Sequence, residues 1–206
     1  MFEDLPGRPR AVLLDLLMAV MNSLETWSIA AGDRDIGLAW RDAVTDRMRA
    51  TNRYVEYLEL VADGAAAVGL DPASADRLIG AWREMEPWRD ASHLAELDLP
   101  YAFVTNCSEE LALQAAGRSG LTPRFTLSAE RARWYKPRPE VYHRAVERIG
   151  ASAGQVLFVA GAPYDAEGAR QAGLQATLVV RRTLTEVPHR AIRRIGGLGE
   201  LFSSEA

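Results

Sequence analysis

The sequence predicts an α/β protein, a doubly wound parallel sheet with a helical cap inserted after its first strand. Three observations carry this expectation. Short, continuous apolar runs recur along the chain, helix-patterned segments alternate with them, and about 70 residues behind the first run show helical periodicity alone.

The apolar runs are Ala11–Leu17 (AVLLDLL), Leu99–Asn106 (LPYAFVTN), Gln155–Gly161 (QVLFVAG) and Gln175–Val180 (QATLVV). Unbroken runs of strand length suit strands covered on both faces. Glu109–Ser119 reads as a helix behind a capping Ser108, with acidic residues in its first turn. Pro139–Ile149 has Pro at its start and Gly150 just past its end. Asp165–Gln171 is a short third helix, ended by Gly173. Between Met18 and Pro87 the apolar positions Leu38, Trp40 and Val44, then Tyr54, Tyr57, Leu58 and Val61, keep a helical period. Asp71-Pro72-Ala73-Ser74 interrupts it and Ala75–Met85 resumes it. Residues 1–17 and 88–206 are therefore expected to form the core and 18–87 the cap, with the site between them, beyond the carboxyl ends of the strands. After Arg182, His189–Arg194 reads as a basic helix-like run, LGELF as a segment packed on the core edge, and the final SSEA as frayed.

With 206 residues the chain is long enough for one core and a modest insertion. Its composition, 48% hydrophobic and 25% charged, is that of an ordinary globular protein. A net charge of -4 gives no reason to expect nucleic acid, which needs a basic stripe, but leaves room for a local cationic pocket. The single Cys107 excludes an intrachain disulfide and a thiolate zinc site, and fits a reducing compartment. The apolar run Ala11–Met21 is broken by Asp15 and is too short to span a bilayer, so no membrane is expected and a cytoplasmic location is. His93, His143 and His189 lack metal-ligand spacing, and the five tryptophans read as core or cap packing. An apolar face around Trp40 and Val44 makes a homodimer interface a possibility.

Chemistry concentrates at four places. Asp15 ends a buried strand, where an unpaired carboxylate costs several kcal/mol, so it serves as an N-cap, as an ion-pair partner or as a nucleophile. Thr105-Asn106 follows the apolar YAFV, where Asn is common in a strand-to-helix turn. Lys136, in WYKPRPEVY, stands ahead of a helix and is either a solvated charge or a partner that keeps Asp15 ionised. Asp165, in FVAGAPYDAEGARQAG, is suited to cap its helix.

In this order and spacing the four segments resemble the haloacid dehalogenase superfamily over nearly the whole chain. The resemblance implies that Asp15 attacks the substrate and forms a covalent ester. It also implies that Thr105 and Asn106 hold the anionic end of the substrate, that Lys136 supports Asp15, and that Asp165 orients Lys136. Tyr142 matches a tyrosine of the dehalogenating branch. The cap segment DIGLAWRD, followed by TNRYVEY, resembles that of 2-haloacid dehalogenases, placing Arg41 against the leaving halide or substrate anion and Tyr57 at an aromatic position.

The departures favour one branch. Magnesium-dependent phosphatases of the superfamily carry a second Asp two residues after the nucleophile and an acidic residue early in the fourth motif; this chain has Leu17 and Ala160. The expected activity is thus metal-independent displacement at a small carboxylate substrate, without a cofactor. Met18-Ala19 replaces the family's Gly-Thr, and Ala160 and Ala162 replace a Ser and an Asn that position the hydrolytic water. Two other readings stand beside this one. The first is ring opening of the azetidine-2-carboxylate type, with Tyr142 or Tyr164 as proton donor. The second is a binding protein with little turnover.

Overall fold

The computed structural model describes residues 7–182, 189–190 and 192–202. Among the described residues six strands, β1 (Ala11–Asp15), β2 (Tyr101–Thr105), β3 (Thr126–Ser128), β4 (Val156–Ala160), β5 (Gln175–Val179) and β6 (Arg193–Ile195), form one sheet in the order β3-β2-β1-β4-β5-β6. Every pairing is parallel. The chain builds outward from β1 through β2 to β3, then crosses to β4 on the other side. In such a sheet the crevice at the carboxyl ends of the strands flanking this reversal is where ligands bind.

Successive residues of a strand point to opposite faces, and the buried side chains divide accordingly. Val12 and Leu14, with Phe103, Leu157 and Val159, belong to one core; Ala11 and Leu13, with Ala102, Val104 and Phe158, belong to another. Helices α7 (Pro139–Ile149) and α8 (Pro163–Gln171) supply the second core. Helix α5 (Glu109–Arg118) and four helices lying between β1 and β2 supply the first. Because both faces are covered, the strands read as apolar runs rather than as alternating ones.

The four helices of the insert are α1 (Ser23–Ala31), α2 (Arg34–Ala50), α3 (Tyr57–Ala67) and α4 (Ser74–Trp82). The insert departs and returns side by side. Met21 and Pro87 form an antiparallel bridge, Asn22 donates its N–H to the Glu86 carbonyl at 2.9 Å, and Trp88 donates to the Val20 carbonyl at 2.9 Å. Tryptophans bind it together: the indole N–H of Trp40 reaches the Val61 carbonyl at 2.8 Å, and that of Trp82 crosses to the Leu111 carbonyl of α5 at 3.1 Å. The Tyr135 hydroxyl donates to the Val55 carbonyl at 2.7 Å, and its ring stacks on Tyr54.

Several expectations need correction. Ser108 makes no side-chain cap; the Glu109 N–H instead donates to the Glu130 carboxylate at 2.8 Å, because the short helix α6 (Ala129–Ala132) brings Glu130 there. The resumed insert helix starts at Ser74 and ends at Trp82, short of Met85. Within His189–Arg194 the described residues do not form a helix: Arg193 and Arg194 begin β6, which pairs with β5. A three-residue strand is too short to show a period, which also hides β3. LGELF makes a 3-10 turn, Leu198–Leu201, that buries Leu198 and Leu201; the terminal SSEA lies outside the described residues. Trp40 and Val44 offer no dimer surface, since both are fully buried within the chain. Among the described residues, no helix is long and apolar enough to cross a membrane.

Candidate active site

The site grows from the last residue of β1. Parallel pairing with β2 and β4 sets Asp15 beside Val104, at the carboxyl edge of the sheet. The chain then makes one wide turn, Leu16–Val20, closed by a hydrogen bond from the Met21 N–H back to the Leu16 carbonyl at 2.8 Å. Such π-type turns leave carbonyls without intrahelical partners. Here the Trp88 indole takes the Met18 carbonyl at 3.0 Å, and the Arg181 guanidinium takes the Ala19 carbonyl at 2.7 Å. Gly161, just past β4, lets the chain pass against this turn: a Cβ there would lie 2.3 Å from the Met18 Cβ.

Lys136 comes from the loop before α7 and is locked by Asn106. The Asn106 side chain accepts from the Lys136 N–H at 2.8 Å and donates to the Lys136 carbonyl at 3.0 Å. Both faces of its amide are thus committed to holding the lysine backbone. The ammonium of Lys136, 1% exposed, lies 3.0 Å from Asp15 Oδ1, 2.6 Å from Asp165 Oδ2 and 3.2 Å from the Val104 carbonyl. All three of its donors are matched.

Burial alone would lower the lysine's affinity for its proton, but the two carboxylates outweigh it and hold the ammonium above its ordinary range. Asp165 moves the other way for a carboxylate. Burial raises its pKa to about 6, Lys136 opposes the rise, and the Asp15 charge adds to it. Tyr142 completes the group, its hydroxyl donating to Asp165 Oδ1 at 2.7 Å; burial keeps this phenol protonated well past its usual range.

A cleft lies in front of Asp15 and Lys136, with a cavity volume of about 30 Å³. On that measure a water needs ~10–15 Å³, so the space suits a ligand of a few heavy atoms. From outside the four insert helices come Asp15, Leu17, Met18, Asn106, Lys136 and Tyr164; from those helices come Ser23, Trp27, Arg41, Val44, Thr45, Met48 and Tyr57. Arg41 and Tyr57 are buried in this wall, whereas Tyr164 is half-buried, its phenol pushed up to about 12 by burial first and Asp165 second.

The structure therefore brings Asp15, Lys136 and Asp165 into contact and sets Arg41, Tyr57, Asn106 and Tyr164 around the cleft. Thr105 and Tyr142 do not line it. The Thr105 hydroxyl lies 3.6 Å from Cys107 Sγ, and Tyr142 stands behind Asp165. Asp165 does not cap α8 either; it sits in the first turn, and its carboxylate is spent on Lys136 and Tyr142. Ser23, Trp27, Thr45 and Met48 were not anticipated in the cleft. Arg41, Val44, Thr45 and Met48 follow the one-face spacing of a helix, and that pattern was present in the sequence.

A divalent cation does not fit this donor set. The ammonium occupies the gap between the two carboxylates, Leu17 and Ala160 bring no oxygen side chain, and magnesium requires an octahedral shell of oxygens.

Comparison with known proteins agrees with this fold. The model of haloacid dehalogenase-like hydrolases matches residues 92–179. An (S)-2-haloacid dehalogenase of Burkholderia cepacia is 26% identical over 187 residues, covering 82% of this chain and 79% of its own length. The structure of the L-2-haloacid dehalogenase of Xanthobacter autotrophicus superposes with a TM-score of 0.80 at 22% identity, over 94% of this chain and 96% of that one. A putative hydrolase of the same fold from Bacillus subtilis, solved with magnesium, superposes at 0.78 with 18% identity, over 95% and 98% of the two chains. The fold thus accommodates proteins with and without dehalogenase names, and the side chains must decide between them. Fold, motif order and sequence together make this chain similar to the haloacid dehalogenase-like hydrolases, and among them to the 2-haloacid dehalogenases.

Proposed function

We propose that the protein is a metal-independent hydrolase of small 2-substituted carboxylic acids, working through a covalent ester on Asp15, with residues 18–87 acting as its cap. The carrying observation is the Lys136 ammonium held between Asp15 and Asp165. This arrangement sets a buried cation beside Asp15, the group read as the nucleophile.

In the first step Asp15 attacks the α-carbon of a 2-haloacid. A C–O bond forms, the C–X bond breaks, and halide leaves with its electron pair. Chloride and bromide are weak bases, so no acid is needed. Arg41, a buried cation in the apolar insert wall, balances the substrate anion or the departing halide. In the second step water adds to the Asp15 carboxyl carbon and the ester C–O bond breaks. The 2-hydroxy acid is released with one proton of the water and the second goes to solvent.

The test is incubation of the protein with (S)-2-chloropropionate, following chloride, 2-hydroxypropionate and intact protein mass. Stoichiometric chloride and hydroxy acid are expected. A stable mass adduct without product would mean that Ala160 and Ala162 have cost the second step. Neither product nor adduct with this acid or with azetidine-2-carboxylate would turn the reading toward a binding protein.

A further inference from the structure

Arg41 does not stand alone in the cleft wall. Its guanidinium lies 3.1 Å from Oδ1 of the neighbouring Asp42, a carboxylate that competes with any ligand anion for the same charge. Asp42 is in turn gripped from the other side. Arg182, just beyond β5, donates to Asp42 Oδ1 at 2.9 Å and to Oδ2 at 3.1 Å, in a paired geometry. The Arg182 and Asp42 side chains are 29% and 44% exposed, whereas the Arg41 side chain is 10% exposed.

We propose that Arg182 is a positioning residue for anion recognition: by engaging Asp42 it frees the Arg41 charge for the ligand. This rests on the reading of Arg41 as the anion receptor. An anion arriving at Arg41 must displace part of the Arg41–Asp42 attraction. A carboxylate already neutralised by Arg182 competes less, so the cleft holds net positive charge at Arg41. The same pair also joins the insert to the core, which alone would make it a mechanical tether. The two roles predict different signs. A tether is broken equally by removing either partner. Charge balancing is not: losing Arg182 releases Asp42 onto Arg41, while losing the Asp42 charge removes the competitor.

The experiment titrates acetate, a carboxylate with nothing to displace, against the intrinsic tryptophan fluorescence, since Trp27 lines the cleft. The variants are Arg182→Gln, Asp42→Asn and the double variant, with thermal melting to verify folding. Arg182→Gln is expected to weaken acetate about 2- to 5-fold, the range of a partly exposed charge pair. Asp42→Asn is expected to bind acetate as tightly as the native chain or tighter, and the double variant should return close to native affinity. In turnover, Arg182→Gln should raise KM with kcat little changed. Equal weakening in both single variants, no change in either, or absence of acetate binding to the native chain overturns the proposal. Acetate binding with the expected signs but no turnover leaves this inference standing and sinks only the catalytic reading.

Discussion

Tyr142 touches Asp165 twice, its hydroxyl 2.7 Å from the carboxylate Oδ1 and 3.1 Å from the main-chain carbonyl, and through it acts on a lysine it never meets. Removing the hydroxyl deprives the buried carboxylate of a donor that favours its ionised form. Tyr142→Phe is therefore expected to raise the Asp165 pKa further and to lower kcat about twofold at neutral pH. The acid limb of the pH–rate profile should move upward by about one unit. An unmoved limb would reduce Tyr142 to a packing residue.

The native limb itself follows from Asp165. Its pKa of about 6 exceeds the ordinary 3.8, so between these values the folded chain holds a proton that the unfolded chain releases. Folding stability from this group accordingly declines as pH rises through that window. Activity runs the opposite way, because only the ionised carboxylate grips Lys136 fully. The ratio kcat/KM should climb up to about pH 6 and then level; a flat profile from pH 4.5 to 8 would contradict this assignment.

Asp15→Asn removes the proposed nucleophile and leaves a neutral group of the same shape beside Lys136. Turnover should disappear while the circular dichroism spectrum persists, and no covalent adduct should be detected by mass. Retained dehalogenation in this variant would place the nucleophile elsewhere.

Chelation is expected to have no effect. With an ammonium between the two carboxylates, treatment with EDTA should leave any hydrolysis unchanged, and added magnesium should not increase it. Strict dependence on a divalent cation would overturn the metal-independent reading.

Gly161→Ala probes the turn that follows Asp15. A Cβ at this position lies 2.6 Å from the Met18 carbonyl carbon and 2.7 Å from the Ala19 nitrogen, so backbone rather than a flexible side chain must yield. Forced overpacking of this kind costs about 1–3 kcal/mol. A lower melting temperature and a loss of kcat should appear together, since the displaced turn carries Asp15. A melting curve like that of the native chain would show that the turn can shift freely.

The parts of this protein that could be read in the sequence are those governed by local periodicity. Strands covered on both faces announce themselves as apolar runs, and Pro139 with Gly150 bounded α7 at both ends. Motif spacing located Asp15, Lys136 and Asp165 along the chain, but spacing carries no information on where a side chain points. Thr105 and Tyr142 therefore turned out not to line the cleft, and Asn106 proved to be engaged with the Lys136 backbone. β6 was misread because two arginines in a three-residue strand look like any basic run. The Asp42–Arg182 contact, spanning 140 positions, has no local signature at all.

The side-by-side junction at Met21 and Pro87 has a consequence for how such a protein changes over time. A detour whose two ends already touch can be lengthened, shortened or exchanged with little closure penalty, since that penalty grows only slowly with length. Asp15, Lys136 and Asp165 all lie outside the detour, whereas Trp27, Arg41, Met48 and Tyr57 lie within it. Grafting a different set of helices at this junction would change the insert's share of the cleft wall and leave Asp15, Lys136 and Asp165 where they are.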